Sequence, residues 1–577
     1  MHSLFGHSFS NITWEVDMTR KFIMGFVSLW LIIGVLSCRE QESKFDLVIA
    51  HARIIDGSGQ PAFTADIGIR DDTIVKIGSI KSSKPARVID AEGFVVAPGF
   101  IDMHTHCDWG LGKNEIKANL NYLSQGVTTV VTGNCGNGNF KIPEITELWT
   151  GQGIGTNAAH LVGFGTIRRE VLGDANRTPA PEEMDTMKAI LDQALKDGAW
   201  GMSTGLMYIP DRYASTEEVI EMAKVLTAHG GIYSSHIRNE EAYFLDAIKE
   251  TIRIGKESGV RINVSHMKAA GKSNWGKMKE AIRLIDDARS AGMTITGDIY
   301  PYNFAATMPI SHIFNIPKEA LTLRELEEKL DEEEAGSVEQ EQIADQLADE
   351  LVKALSNPAM REQIRRLTLE GDPEKVNWIV VEGWDNIAVV SARKNTHLLN
   401  RILSDLALEE NRDPFDIAVA LFLEEKNDLV VSVCTMSEDD IHLAMSQDWV
   451  MISSDGGTVP LGVGVVHPRT YGSFPRFFRK YIREDQVGDL LKAVHMTSAL
   501  PAEALGLEDR GKLIEGYKAD IVIFDPEKIC DNATYLDSHH YSSGVAYVIV
   551  NGKLAIDQGQ YTNTLSGRVL LHQSKLR

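Results

Sequence analysis

Eight short apolar runs constrain this chain more than any other feature. They are GFIDMHTH (99–106), TTVVTGNCG (128–136), HLVGFG (160–165), GAWGMSTGL (198–206), GIYSSH (231–236), RINVSH (261–266), TITGDIY (294–300) and VMISSDG (450–456). Helical stretches separate the runs, and the early spacing is about 30 residues, the length of one βαβ unit. Continuous apolar strands alternating with helices indicate a parallel sheet covered on both faces. Eight of them predict an α/β fold, a (β/α)8 TIM-like barrel over 99–499; a doubly wound open sheet is the alternative. Every chemically loaded residue lies at the end of a run. In a barrel that gathers them on the carboxyl-terminal face, where active sites sit.

The ends of the chain have another texture. DLVIAHARIID, ADIGIRDDTIVKIG and VIDAEGFVVAP precede the runs, and KADIVIFDP and VAYVIVNGKLAIDQG follow them, punctuated by Gly and Asp as short strands are. These predict a small β-sandwich domain built from 45–98 and 500–577; two separate β modules are the alternative. The gap between the seventh and eighth runs exceeds one helix. Within it, 318–376 reads as a helical insertion, with 13 acids and two bases from Glu319 to Glu350. Leu323, Leu326 and Leu330 share one face, and Ile343, Leu347, Leu351 and Leu355 continue at i+4 spacing. The insertion is either a solvated excursion with one packed face or a lid over the barrel mouth.

At the amino terminus, Arg20 and Lys21 precede an apolar run, Phe22 to Ser37, and Val35-Leu36-Ser37-Cys38 closes it. The run is short for a membrane-spanning helix, which needs about 20 residues. Residues 1–38 therefore read as a secretory signal ending in a lipobox. Met18 is a better start than Met1, and a plain signal peptide or anchor helix is the alternative. This predicts export and a lipid anchor at Cys38 in a bacterial cell envelope. With 58 Lys+Arg against 81 Asp+Glu, the net charge is 58 − 81 = −23. That argues against nucleic acid as a partner, because phosphate binding needs surplus cations. Five cysteines in 577 residues are too few for a disulfide scaffold.

His104 and His106 are two apart, so in a strand both imidazoles face one side. Cys135 sits in the turn Gly133-Asn134-Cys135-Gly136, and a thiolate there favours a soft metal such as zinc. His236 and His266 end successive runs. Asp455, in Ser454-Asp455-Gly456, supplies a carboxylate able to hold an attacking water and move its proton. Any of these alone is unremarkable; at the ends of five runs they make a metal-ligand set. Lys268 and Arg469 would be ordinary solvated cations unless an anionic ligand is held nearby.

With PGFIDMHTH, GNCG, HIRNE (236–240), SHMK (265–268) and SDG (454–456) in place, the chain resembles the amidohydrolase superfamily. GMSTGLMYIPDRYAS (201–215) and VVHPRTYGSFPR (465–476) are similar to its D-aminoacylases, the N-acyl-D-amino-acid deacylases. The resemblance runs from about Phe45 to about Tyr561. It implies zinc held tightly by Cys135, His236 and His266, with a second, weaker site at His104, His106 and Asp455. It implies Asp455 as general base and acid. Lys268, Arg469 and Tyr300 (or its neighbour Tyr302) would grip the substrate carboxylate, and Tyr208 would touch the scissile amide. The implied substrate is a small N-acyl-D-amino acid; a cyclic amide, as in hydantoinases and dihydroorotases, or a dipeptide is the alternative. Those relatives carry a bridging lysine, which the fourth run lacks. Cys107 stands where an acid is commoner and reads as a spectator thiol, with an extra soft ligand as the alternative.

Overall fold

The computed structural model describes residues 45–81, 85–332, 338–372, 377–463 and 466–573. The signal segment, with its expected anchor at Cys38, lies outside the described residues. Among those described, no helix is long and apolar enough to cross a membrane.

The eight runs form eight strands: β1 (Phe100–Asp102), β2 (Val127–Thr132), β3 (Asn157–Gly163), β4 (Gly201–Gly205), β5 (Ile232–His236), β6 (Arg261–Val264), β7 (Ile295–Ile299) and β8 (Val450–Ile452). They pair in parallel and in sequence from β1 to β8. The sheet is that of a TIM-like barrel, nearly closed. β1 and β8 are bridged just beyond their ends, where Gly456–Gly457 pairs in parallel with Thr105–His106. The backbone N–H of Asp455 also donates to His104 O at 2.9 Å.

The alternation that makes the sheet is local. The helix Thr216–His229 starts where Ser215 Oγ accepts from Glu218 N at 3.2 Å, and stops at Gly230 in the left-handed region. The next helix, Phe244–Ser258, turns Phe244, Ala247, Ile248, Thr251 and Ile254 inward, an i, i+3, i+4 stripe against the sheet. Gly255 lets it approach closely, since a Cβ there would meet Ile262 Cδ1 at 2.2 Å.

The terminal segments meet as expected, in one small β domain. Their strands hydrogen-bond into a single nine-stranded mixed sheet, in which Val95–Pro98 pairs with Ile521–Phe524. Leu47–Ile54 pairs with three neighbours and so branches the sheet.

The β7–β8 connection is more than a helical block. Phe304–Pro309, Val430–Cys434 and Ile387–Ser391 form an antiparallel sheet of their own. The acidic helices Leu321–Glu332 and Val338–Ser356 share a hydrophobic core with it through Leu323, Leu326, Leu347, Leu351 and Leu355. Its core, with Phe314, Phe415 and Phe422, is separate from that of the barrel.

Candidate metal centre

All six expected ligands converge at the carboxyl ends of the strands. Among the described residues, three groups bring their ligand atoms within 4.8 Å of one another: His104, His106 and Cys135; Cys135, His236 and His266; and His104, His266 and Asp455. Cys135 Sγ is central, 3.4 Å from His104 Nε2, 3.7 Å from His236 Nδ1 and 3.7 Å from His266 Nε2. Zinc at about 2.3 Å from sulfur and about 2.1 Å from nitrogen, in a tetrahedron, would separate those ligand atoms by about 3.6 Å. The donor set fits that ion in spacing and in softness.

The backbone is bent to aim these groups. Cys135 (φ 54°), His266 (φ 30°) and Asp455 (φ 49°) are all in the left-handed region. Such residues cost on the order of 1–3 kcal/mol each and concentrate at functional sites. Gly133, at φ 77°, opens the turn that carries Cys135; a Cβ there would lie 1.9 Å from Leu161 O.

Carboxylates stand behind the imidazoles. Glu240 Oε1 lies 2.9 Å from His266 Nδ1 and 3.0 Å from Lys268 Nζ, and Glu240 Oε2 is 3.7 Å from His236 Nε2. His266 Nε2 faces Cys135, while its Nδ1 lies within reach of both Glu240 Oε1 and, at 3.0 Å, Lys268 Nζ. Asp298 Oδ1 accepts from His266 N at 3.0 Å and from Ser453 Oγ at 2.7 Å, and lies 3.7 Å from His104 Nδ1. Asp102 Oδ1 accepts from His104 N and Ser454 N, joining the ends of β1 and β8. None of these three acids was singled out from the sequence. The available signals were weak: Asp298 is a lone acid in an apolar strand, and Glu240 stands four residues after His236.

Burial holds His236 and His266 far below the usual histidine range, so both are neutral and free to coordinate. Asp455 is pulled the other way. Burial alone would raise it, but Arg469 and the hydrogen bond with His106 hold it well below the usual carboxylate range. Its Oδ1 is 3.1 Å from His106 Nε2 and 3.5 Å from His104 Nε2, and its Oδ2 is 2.9 Å from Arg469 Nη1.

His106, Cys135, His236, His266 and Asp455 line a cavity of about 380 Å³ that also includes Tyr208, Lys268, Tyr300, Trp378 and Arg469; His104 lies buried behind it. Tyr300 lies between the two cations, its ring 4.9 Å from Arg469 Cζ and 5.6 Å from Lys268 Nζ. Its buried hydroxyl has no hydrogen-bond partner. Tyr302 does not line the cavity, and its hydroxyl donates to Pro468 O. Tyr208 packs edge-on against His236 with ring centroids 4.8 Å apart. Cys107 is buried away from the cavity beside Asn119.

Residues 87–336 and 424–556 match the model of the amidohydrolase family. The chain is 31% identical to the D-aminoacylase of Alcaligenes xylosoxydans xylosoxydans, over 92% of this chain and 99% of that one. Among solved structures it is similar to the N-acyl-D-glutamate deacylase of Bordetella bronchiseptica, complexed with zinc and a phosphonate mimic of the tetrahedral intermediate. That likeness has a TM-score of 0.69 and 28% identity, covering 92% of this chain and 100% of the other. It is likewise similar to a D-aminoacylase with a binuclear metal centre, described as activated by one metal and attenuated by a second (TM-score 0.68, 30% identity, 91% and 100% covered). A Thermus sp. D-hydantoinase, at 15% identity and a TM-score of 0.51, shares the fold alone.

Proposed function

The chain belongs to the amidohydrolase family, among its D-aminoacylases, and on that premise we propose that it hydrolyses N-acyl-D-amino acids to a carboxylate and a free D-amino acid. The observation that carries this is a single cavity holding both the Cys135, His236 and His266 set and the cluster of Lys268, Tyr300 and Arg469. In the proposed assignment the first set holds zinc tightly, and His104, His106 and Asp455 form a second, weaker site. When bound, the ion lowers the pKa of a water toward about 7 and polarises the amide carbonyl.

The chain's own groups do the rest. Asp455, held ionised, accepts the proton of the attacking water and returns it to the leaving amide nitrogen. Arg469, with one edge on Asp455, has donors left for the α-carboxylate; Lys268 and the unpartnered Tyr300 hydroxyl, in the same cavity, would complete the grip. Tyr208 borders the amide from the His236 side. With carboxylate and amide both fixed, the side chain has one direction left, which is how the site would select the D enantiomer.

The test is amine release from matched N-acetyl-D- and N-acetyl-L-amino acids, with zinc and with a chelator. D-only turnover that the chelator abolishes is expected. Equal turnover of both series, or zinc-bound protein inactive on both, would sink the reading. Cys135→Ala should lose zinc and activity together.

The motif at 35–38 supports a second proposal, that the mature chain is exported and lipid-anchored at Cys38. Labelled palmitate should enter the wild type and not Cys38→Ala; a wild type that takes up no label refutes the anchor.

A further inference from the structure

The metal set and the carboxylate grip do not use the whole cavity. Its wall also carries Glu241, just beyond β5, and Glu382, on the short helix Trp378–Glu382 of the β7–β8 connection. Glu382 is 4% exposed, and its Oε2 is buried with no hydrogen-bond partner. Neighbouring cations are already engaged: Lys268 pairs with Glu240 and Lys272 with Asp385. The charges acting on Glu382 are those of Glu241 and Asp385, both negative. Arg212 acts on Glu241, outweighed by burial and by Glu240. Burial and these like charges push Glu382 up to about 8 and Glu241 up to about 7. Carboxyls raised in this way keep protons near neutral pH, and an incoming cation supplies the counter-charge that lets them ionise. The faces of Trp378 and Tyr208, in the same cavity, also suit a cation.

We propose that Glu241 and Glu382 form a cation subsite, taking an ammonium or guanidinium group of the substrate while Arg469, Lys268 and Tyr300 take its carboxylate. The inference rests on the deacylase reading and narrows it. The substrate is an N-acyl-D-amino acid with a basic side chain, or one whose acyl group is an amino acid with a free amine. The acidic side chains of D-glutamate and D-aspartate would be repelled.

The experiment uses the zinc-loaded full chain and two matched pairs: N-acetyl-D-lysine against N-acetyl-D-norleucine, and glycyl-D-leucine against acetyl-D-leucine. Both kcat/KM and calorimetric affinity are measured in wild type, Glu382→Gln and Glu241→Gln. In one pair the cationic member should be favoured about 10-fold or more, mainly through KM, and the ratio should fall toward 1 in either variant. The first pair places the cation on the side chain, the second on the acyl group. Equal kcat/KM within both pairs, or a preference that survives both substitutions, overturns the subsite. If nothing is turned over, the deacylase reading fails by itself. The affinities then decide the subsite: a cation preference lost in the variants upholds it, and equal affinities overturn it.

Discussion

At Asp455 burial and partners pull in opposite directions, and the partners win. Arg469 and His106 keep it charged where an isolated carboxyl would hold its proton. Asp455→Asn should therefore lower kcat by about 10²- to 10⁴-fold while zinc stays with Cys135, His236 and His266. Steady-state kinetics with zinc content checks this, and a kcat within a few fold of wild type would remove Asp455 from its role. Asp211 shows the opposite balance. It lies 2% exposed, and burial pushes it up to about 7 although it accepts from Gly205 N at 2.7 Å. The unfolded chain releases that proton near about 4. The folded state thus binds the extra proton between about 4 and 7, and stability falls as pH rises through that window. Asp211→Asn should flatten the slope, by up to about 1.4 kcal/mol per pH unit in urea titrations; an unchanged slope would show that another group sets it. At this scale the ligands were legible because His, Cys and Asp at run ends are chemically conspicuous. Glu240 and Asp298 were not, since nothing in HIRNE or TITGDIY says which imidazole an acid will stand behind.

The elements aim the residues. The β2 turn reverses so tightly that Gly133 adopts φ 77° against Leu161 O. Gly133→Ala should cost about 2–4 kcal/mol, combining left-handed strain with a backbone clash, and should weaken zinc binding by moving Cys135. Denaturant unfolding with and without zinc tests both effects; a loss below about 1 kcal/mol would mean the turn adapts. The β7–β8 connection was legible only in part. Its leucine spacing marks helices whose buried faces are as expected. The three-stranded sheet in their core pairs strands separated by some 40 and some 120 residues, and no local period announces such pairing. The short helix after those helices brings Trp378 and Glu382 to the cavity wall, so this connection takes part in the site rather than lying apart from it.

For the whole molecule, the decisive contact joins barrel and small sheet. Asp520 Oδ2 accepts from Asn157 Nδ2, at the start of β3, at 2.9 Å, and Asp520 Oδ1 accepts from Asn551 N at 2.7 Å. Arg510 pairs with Asp520, and its Nη2 donates to Asn551 Oδ1 at 2.9 Å. Arg510 is buried, so Asp520→Ala would leave its guanidinium only the longer, 3.6 Å pair with the half-exposed Asp509, a loss of up to about 3–5 kcal/mol. Thermal unfolding should show the barrel and small sheet melting earlier together. A variant within about 1 kcal/mol of wild type would show that the two parts do not depend on this network.

The sequence by itself determined the strand–helix alternation, the strand texture of both chain ends and the candidate metal-ligating residues that the structure brings together. Each is carried by local chemistry: a parallel strand buried on both faces must be an apolar run, and His-x-His places two imidazoles on one side of an extended chain. Only the tertiary structure put Tyr300 and not Tyr302 on the cavity wall, stationed Glu240 behind His266, bridged β1 to β8 through Thr105–His106 and Gly456–Gly457, and brought Glu382 and Glu241 to one cavity. These are encounters between residues remote along the chain. Electrostatics and desolvation act through distance in space, which periodicity along a sequence does not encode.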